Sequence, residues 1–246
     1  IIDVGVDADF SAPSALWQRK VRHGSRNLRL EPAMSPRELD DALQIGLEAA
    51  HDAHSRDVRM VAAGEMGIGN TTAASALAAA LTRQPVEAVT GTGTGITSRA
   101  RQIKQQVIGE ALDRPRPLWH TERAAPLEAL RCVGGLEIAA MTGFFLGAAR
   151  HRKIIIVDGF IATAAAAVAV ALAPPVREYL LAGHRSQEPG HAHLLDYIGI
   201  RPILDLRMRL GEGTGAVLAM PVVTSAMHIL TEMATFASAG VSTANE

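Results

Sequence analysis

The chain repeatedly follows a short apolar, β-branched run with a glycine-containing turn and an alanine-rich helix. One unit has a strand over residues 58–63, a turn over 64–72 and a helix to Leu81, and another has a strand over 153–157 followed by Asp158-Gly159. Buried strands that alternate with helices predict an α/β fold with a doubly wound, mainly parallel sheet, Rossmann-like and flanked by helices, with a small helical appendage. Ligands of such sheets bind at the carboxyl ends of the strands.

The amino-terminal third carries a clear helix start. Ser35 followed by Pro36 and Glu38 gives an N-cap, a proline at the first helical position and an acidic first turn, which predicts a helix to about Asp52. The β-branched run over residues 1–6 predicts a buried strand of the parallel sheet.

Two segments are predicted to be loops. Residues 11–36 are polar and interrupted by proline, and residues 183–191 are rich in Gly and Pro. A strand or short helix is expected over residues 202–206. Further helices are expected over residues 98–112, 121–131, 137–149 and 216–236.

Composition favours one domain over residues 1–246 that acts on a small molecule. Lys and Arg number 24 against 25 Asp and Glu, so no broad electrostatic field attracts nucleic acid or an anionic membrane. The longest apolar run, residues 160–173, is shorter than the roughly 20 residues that span a bilayer and predicts a buried helix. Cys132 is the only cysteine, which excludes an intrachain disulfide and favours the cytoplasm.

The chain opens on Ile1 without an initiator methionine or a signal pattern. We therefore expect a fragment of a longer protein.

Residues 64–72 are a candidate phosphate site. A turn that opens a helix presents unpaired N–H groups, and its glycines let an anion approach the backbone. The spacing matches neither a P-loop nor the dinucleotide fingerprint, and a purely structural turn is the alternative. Glu65 in this turn would accept hydrogen bonds from ribose hydroxyls or stabilise the helix N-terminus.

Lys104 follows a second glycine cluster, residues 91–95, on a helix that also carries Arg99 and Arg101. Such charges usually form a solvated face, and the alternative is a contact between Lys104 and an anionic ligand.

Imidazole and carboxylate groups between His184 and His193 are candidate zinc ligands. The segment also contains Glu188 and His191, but it has a Pro-Gly break and no His-Glu-x-x-His spacing. We expect neither a metal nor another cofactor, and we favour a hydrogen-bonded loop that closes over a ligand with Ser186.

Glu212 is the candidate general base. It lies between Gly211 and Gly213, which leave its side chain open to a substrate, and apolar neighbours such as Leu210 and Ala216 would strengthen it as a base. The alternative is a carboxylate at a helix N-terminus with no chemical role.

Taken in order, eight segments resemble the nicotinate-nucleotide:dimethylbenzimidazole phosphoribosyltransferase family over nearly the whole chain. Each is a weak signal alone, and the ordered set is specific. They are Asp3-Val-Gly-Val6, Gly24-Ser-Arg-Asn27 with Glu31-Pro-Ala-Met-Ser35, Gly64-Glu-Met-Gly-Ile-Gly-Asn-Thr-Thr72, Gly91-Thr-Gly-Thr-Gly95, Val133-Gly-Gly-Leu-Glu137, Asp158-Gly-Phe160, Gly183-His-Arg-Ser-Gln-Glu-Pro-Gly-His191 and Leu210-Gly-Glu-Gly-Thr-Gly215.

The resemblance implies transfer of ribose 5-phosphate from nicotinate mononucleotide to 5,6-dimethylbenzimidazole, giving nicotinate and α-ribazole 5'-phosphate without a cofactor. It implies that Glu212 takes the benzimidazole proton and that Glu65 assists. Residues implied to bind substrate are Gly67, Asn70, Lys104, Asp158, Gly159, Ser186 and Gly211, with Met66, Thr94 and Gly95 toward the nicotinate.

The family resemblance also implies a homodimer. Members of that family carry a further segment before the part that matches Ile1, so the pocket for the base is expected to be incomplete. Two alternatives remain: a nucleotide-phosphate binding protein without catalysis, and a Rossmann-type dehydrogenase, which the absent fingerprint spacing disfavours.

Overall fold

Four parallel strands form the central sheet, and they are ordered as in the sequence. In the computed structural model, which describes residues 1–11, 15–93, 95–114 and 125–241, they are β3 (Met60–Ala63), β4 (Ile154–Val157), β5 (Leu180–Ser186) and β6 (Pro202–Met208). The pairs β3–β4, β4–β5 and β5–β6 are all parallel. The predicted α/β fold with a parallel sheet flanked by helices is confirmed.

The helices of the described residues alternate with the strands and turns along the chain. They are α1 (Pro36–Ser55), α2 (Thr71–Thr82), α3 (Val86–Val89), α4 (Ser98–Asp113), α5 (Ala125–Val133), α6 (Leu136–Arg150), α7 (Phe160–Leu172), α8 (Pro189–Ile198) and α9 (Thr214–Glu232), with a 3-10 helix at Pro174–Tyr179.

Strand β4 is apolar throughout because both faces of the sheet are covered. Ile156 packs with residues of α9, whereas Ile155 and Val157 belong to the larger core that includes α6 and α7. The alternation of side chains along a strand sends successive residues to opposite faces, so a strand covered on both sides needs an unbroken apolar run.

Helix α1 begins where its cap predicts. The Ser35 hydroxyl accepts from the Glu38 N–H, and the Glu38 carboxylate accepts from the Ser35 N–H, which forms a reciprocal capping box. The helix continues to Ser55, three residues beyond the predicted end, since no Gly or Pro interrupts it there.

The first strand does not belong to the central sheet, which corrects the prediction for residues 1–6. Strand β1 (Ile2–Asp3) pairs in parallel with β2 (Trp17–Gln18) as a separate two-stranded sheet. Asp3 lies 2.7 Å from the Lys20 ammonium and accepts from the Val6 N–H. A buried ion pair at the second strand residue leaves too short an apolar run for a central strand.

The predicted loop over residues 183–191 is also wrong. Gly183 and Ser186 lie in β5, and Pro189 begins α8. A Cβ on Gly183 would lie 2.9 Å from the Ala216 Cα, so glycine here permits the close approach of α9 to the strand. Proline is favourable in the first turn of a helix, where its missing N–H has no partner to lose.

The two most apolar helices differ in their surroundings. Helix α7 is almost fully buried, which confirms the prediction for this run. Helix α9 contains Pro221 and is the one described helix long and apolar enough to cross a membrane by length and composition, with only 17% of the segment buried.

Helices α1 and α6 cross at glycines, which generates a stability prediction. A Cβ on Gly46 would lie 1.9 Å from the Ala140 carbonyl oxygen. We expect Gly46→Ala to lower the free energy of unfolding by about 1–3 kcal/mol through overpacking, measured by urea denaturation.

Gly109 in α4 is the matched control. A Cβ there would meet no atom of the described residues within 4 Å. Gly109→Ala should stabilise the chain by about 0.5–1 kcal/mol, because alanine loses less backbone entropy in a helix. Equal effects of the two substitutions would contradict the close crossing of the helices.

Candidate active site

The carboxyl ends of the four parallel strands lie at one edge of the sheet and carry most of the predicted site residues. Gly64 and Glu65 follow β3, Asp158 and Gly159 follow β4, and Ser186 ends β5. The Glu212 turn follows β6. Helices α2, α7 and α9 begin at this edge without a side-chain cap from their own N-cap residue. The edge therefore presents helix N-termini and carboxylates together.

Glu65 holds the turn after β3 in shape. Its Oε2 accepts from the Gly67 N–H at 2.9 Å and from the Asn70 amide. A Cβ on Gly211 would lie 2.9 Å from Glu65 Oε1, so the other oxygen faces the turn after β6. One oxygen of Glu65 thus organises its own turn, and the other points toward the segment that carries Glu212.

Glu212 lies in a turn of three consecutive left-handed residues. The φ angles of Gly211, Glu212 and Gly213 are 82°, 59° and 80°. A Cβ on Gly64 would lie 2.4 Å from the Glu212 carbonyl carbon. Contact between the two turns therefore requires glycine at position 64, and it brings the two predicted catalytic segments together.

The expected apolar enclosure of Glu212 is not formed. Glu212 is exposed, Leu210 is 65% exposed, and Ala216 is buried against the sheet. The start of α9 directs Ala216 inward, whereas the preceding turn leaves Leu210 on the outside. The openness of Glu212 to a substrate follows from its glycine neighbours.

Lys104 is buried and reaches the start of α2. Its ammonium donates to the Thr71 hydroxyl at 2.8 Å, and a Cβ on Gly93 would lie 3.0 Å from the same hydroxyl oxygen. Burial lowers the pKa of Lys104, and the negative charge of Glu188 opposes this shift. Helix α4 therefore places the Lys104 ammonium beneath the turn over residues 64–72 and not on a solvated face.

Two of the residues predicted on the nicotinate side, Met66 and Gly95, are exposed. Gly95 has φ 111°, and a Cβ added there would meet none of the described residues within 4 Å. Met66 is 73% exposed. Thr94 lies outside the described residues.

Gly159 and Ser186 are joined by a buried histidine. The Ser186 N–H donates to His191 Nδ1 at 2.9 Å, and His191 Nε2 lies 3.0 Å from the Thr163 hydroxyl. That hydroxyl donates to the Gly159 carbonyl at 2.8 Å. Burial lowers the pKa of His191 to about 3, so the ring is neutral and links the ends of β4 and β5.

Glu137 is a site residue whose role the sequence does not indicate. A Cβ on Gly67 would lie 3.2 Å from Glu137 Oε1, and the Asn70 amide also bonds this carboxylate. Burial raises the pKa of Glu137, and the charge of Glu65 raises it further. Its place at the start of α6, after Gly134-Gly135, is a sequence signal that could have identified it.

A cleft of about 240 Å³ adjoins this edge. Arg209 donates to the Gly93 carbonyl at 2.8 Å, which ties the end of β6 to the turn over residues 91–95. Glu188 Oε2 is buried without a hydrogen-bond partner among the described residues. The cleft is lined by Gly91, Thr92, Arg101, Gln187, Glu188, Pro189 and Arg209.

The candidate zinc ligands do not converge. His191 uses both ring nitrogens within the protein, and in the part of the chain that the structure describes no group of three or more His, Cys, Asp or Glu side chains is arranged to hold a metal ion.

The parallel sheet, the helix N-termini, the buried lysine and the two facing carboxylate turns define an α/β protein suited to an anionic small molecule and proton transfer. The family described as Phosphoribosyltransferase matches residues 1–241. The chain belongs to this family.

Relatives match over nearly all of the chain. It is 49% identical over 98% of its length to the nicotinate-nucleotide–dimethylbenzimidazole phosphoribosyltransferase of Geobacter sulfurreducens and covers 67% of that protein. The protein of the same name from Chloroflexus aurantiacus is 48% identical, with 98% and 68% of the two chains covered.

Solved structures show the same fold. The crystal structure of CobT from Thermus thermophilus has a TM-score of 0.93 and 48% identity, with 98% of this chain and 71% of that chain covered. The chain therefore spans about two thirds of the length of these relatives.

His191 generates a pH prediction. An unfolded histidine binds a proton below about pH 6.5, whereas folded His191 stays neutral down to about pH 3. Its contribution to stability is complete above pH 6.5 and is lost as the pH falls from 6.5 toward 3, by about 1.4 kcal/mol per pH unit.

Urea denaturation at pH 7, 6 and 5 measures this effect. His191→Asn keeps an acceptor for the Ser186 N–H but does not titrate, so it should lose less stability than the wild type over this range. Identical slopes would show that His191 is not held neutral by the fold.

Proposed function

We propose that this chain transfers the phosphoribosyl group of nicotinate mononucleotide to 5,6-dimethylbenzimidazole in cobalamin lower-ligand synthesis. The products are α-ribazole 5'-phosphate and nicotinate. The family membership supports the reaction class, and the relatives of the same name support the substrates. The observation that carries the mechanism is the contact between the Glu65 turn and the Glu212 turn at the carboxyl edge of the sheet.

Glu212 is proposed as the general base. One benzimidazole nitrogen attacks the anomeric carbon while the bond from that carbon to the nicotinate nitrogen breaks. The electron pair of the broken bond stays on the nicotinate nitrogen and neutralises the positive charge of the nicotinate ring. The proton on the other benzimidazole nitrogen passes to the Glu212 carboxylate. Because the leaving group is already cationic, orientation of the two rings and removal of one proton are the main tasks of the protein.

The phosphate is proposed to lie near Lys104 and the N-termini of α2 and α7. Helix N-termini favour anions, and Lys104 provides a positive charge at the start of α2. Gly67, Asn70, Gly159 and Ser186 are proposed to line this position. Glu65, with one oxygen facing Gly211, is proposed to assist Glu212.

Replacement of Glu212 tests the base. Glu212→Gln keeps the shape of the side chain and removes the proton acceptor, so nicotinate release should fall by a factor of about 10²–10⁴. The assay follows nicotinate release from the mononucleotide with dimethylbenzimidazole present.

Glu178→Gln is the control, because Glu178 is an exposed carboxylate in the 3-10 helix outside this edge. Unchanged turnover of Glu212→Gln would defeat the assignment. Calorimetric binding of the mononucleotide by the wild type without nicotinate release would favour a binding protein that does not catalyse.

Replacement of Lys104 tests the anchor. Lys104→Met should raise the KM for the mononucleotide about tenfold or more, since a charge-assisted contact to phosphate contributes about 1.5–3 kcal/mol. Arg99→Met, an exposed cation on the same helix, should leave KM close to that of the wild type. The same KM in both variants would place the phosphate elsewhere.

The protein is proposed to be cytoplasmic, in keeping with its one buried free thiol, and to form a homodimer. The support for the dimer is α9, whose apolar surface includes Leu230 at 78% exposure and whose one Asp, Glu, Lys or Arg residue is Glu232 at its end. A large apolar surface with a single charged residue at one end suits a second copy of itself, since a two-fold interface pairs identical patches.

Light scattering after size exclusion tests the dimer. The wild type should have twice the chain mass of 26.0 kDa, and Leu230→Glu should shift it toward the monomer. Ile103→Glu on α4 is the control and should not. A monomeric wild type, or one that requires detergent, contradicts the dimer.

A further inference from the structure

Asp158 is a buried carboxylate whose two oxygens are both used within the protein. Oδ2 accepts from the Gly213 N–H at 3.1 Å, and Oδ1 accepts from the Ala216 N–H at 3.0 Å. The residue is 2% exposed. Both donors belong to the segment that directly follows Glu212, so Asp158 binds that segment and not the solvent.

This pair of bonds replaces a local helix cap. The N-cap residue of α9 is Gly213, which has no side chain to accept from the first turn. Asp158 supplies the missing acceptor from the end of β4, more than fifty residues earlier in the chain. A carboxylate at a helix N-terminus also complements the positive end of the helix.

The turn that carries Glu212 needs such a restraint. Glu212 has φ 59°, a left-handed conformation that is unfavourable for a residue with a Cβ. Strained residues of this kind persist where the surrounding structure fixes them. Asp158 anchors the turn just beyond Glu212, and Gly64 contacts its backbone from the other side.

His184 closes the buried side of this arrangement. Its Nε2 lies 3.7 Å from Asp158 Oδ1, and a Cβ on Gly215 would lie 1.8 Å from its ring. The ring and Gly215 thus fill the space beneath Asp158, which leaves the carboxylate directed at the first turn of α9.

We propose that Asp158 is a positioning residue for the transfer reaction, which holds the Glu212 carboxylate at the substrate through its bonds to Gly213 and Ala216. The proposal rests on the proposed function of Glu212. The family resemblance implies that Asp158 contacts the substrate, whereas in this proposal Asp158 acts through the Glu212 turn.

Asp158→Asn is the test variant. The asparagine amide keeps one acceptor oxygen but turns its NH2 group toward either the Gly213 or the Ala216 N–H. The turn therefore loses one hydrogen bond, while the shape of the side chain is nearly unchanged. Misplacement of a catalytic group by about 1 Å lowers turnover by about 100-fold. We expect a loss of kcat of this order, with the KM for the mononucleotide close to that of the wild type.

A double-mutant cycle separates positioning from a merely structural role. If Asp158 acts only through Glu212, Asp158→Asn should cause no further loss in the Glu212→Gln background. Equal losses in both backgrounds would overturn the proposal, because they would indicate a substrate contact or a general effect on the fold.

Hydrogen exchange gives a readout that does not depend on activity. Asp158→Asn should speed amide exchange over residues 211–217 and leave α2 unchanged, and unchanged exchange in residues 211–217 would overturn the proposal. If the wild type releases no nicotinate, the proposed function fails, while exchange still decides whether Asp158 holds the turn. If Asp158→Asn does not fold, Gly213→Ala is the second variant, because it strains the same turn. It should lower kcat in the wild type and cause no further loss in the Glu212→Gln background.

Discussion

The bonds from Gly213 and Ala216 to Asp158 join the last part of the chain to the centre of the sheet. Without them, the N–H groups of Gly213 and Ala216 at the start of α9 would lose their acceptor, and the N-cap glycine has no side chain to replace it. They fix the direction in which α9 leaves the edge, and α9 in turn covers Ile156 of β4 on the face opposite the main core. One buried carboxylate thus couples a core contact to the geometry of the candidate site.

Close backbone approach is the second constraint, and glycine supplies it. Gly64 permits contact with the Glu212 turn, Gly183 permits the approach of α9 to β5, and Gly215 accommodates the His184 ring. Each position is too crowded for a Cβ. The glycines of this chain therefore serve packing between turns, strands and helices as well as access for an anion.

Local signals made much of the fold predictable from the sequence, and contacts between distant residues account for the rest. The cap at Ser35 and the apolar β4 are encoded by neighbouring residues, and both are confirmed. Strand β5 resembles a loop because Gly183 is required by α9, some thirty residues later. Glu137 lies within one of the segments that resemble the family, but its contact with Asn70 depends on how α6 packs against the turn after β3.

The most direct measurement of the central claim is a crystal structure of the Glu212→Gln chain with nicotinate mononucleotide and dimethylbenzimidazole bound. The account predicts the phosphate within hydrogen-bond distance of Lys104, near the starts of α2 and α7, and a benzimidazole nitrogen about 3 Å from the residue 212 side chain. A nucleotide bound away from the carboxyl edge of the sheet, or a residue 212 side chain turned away from the base, would contradict it.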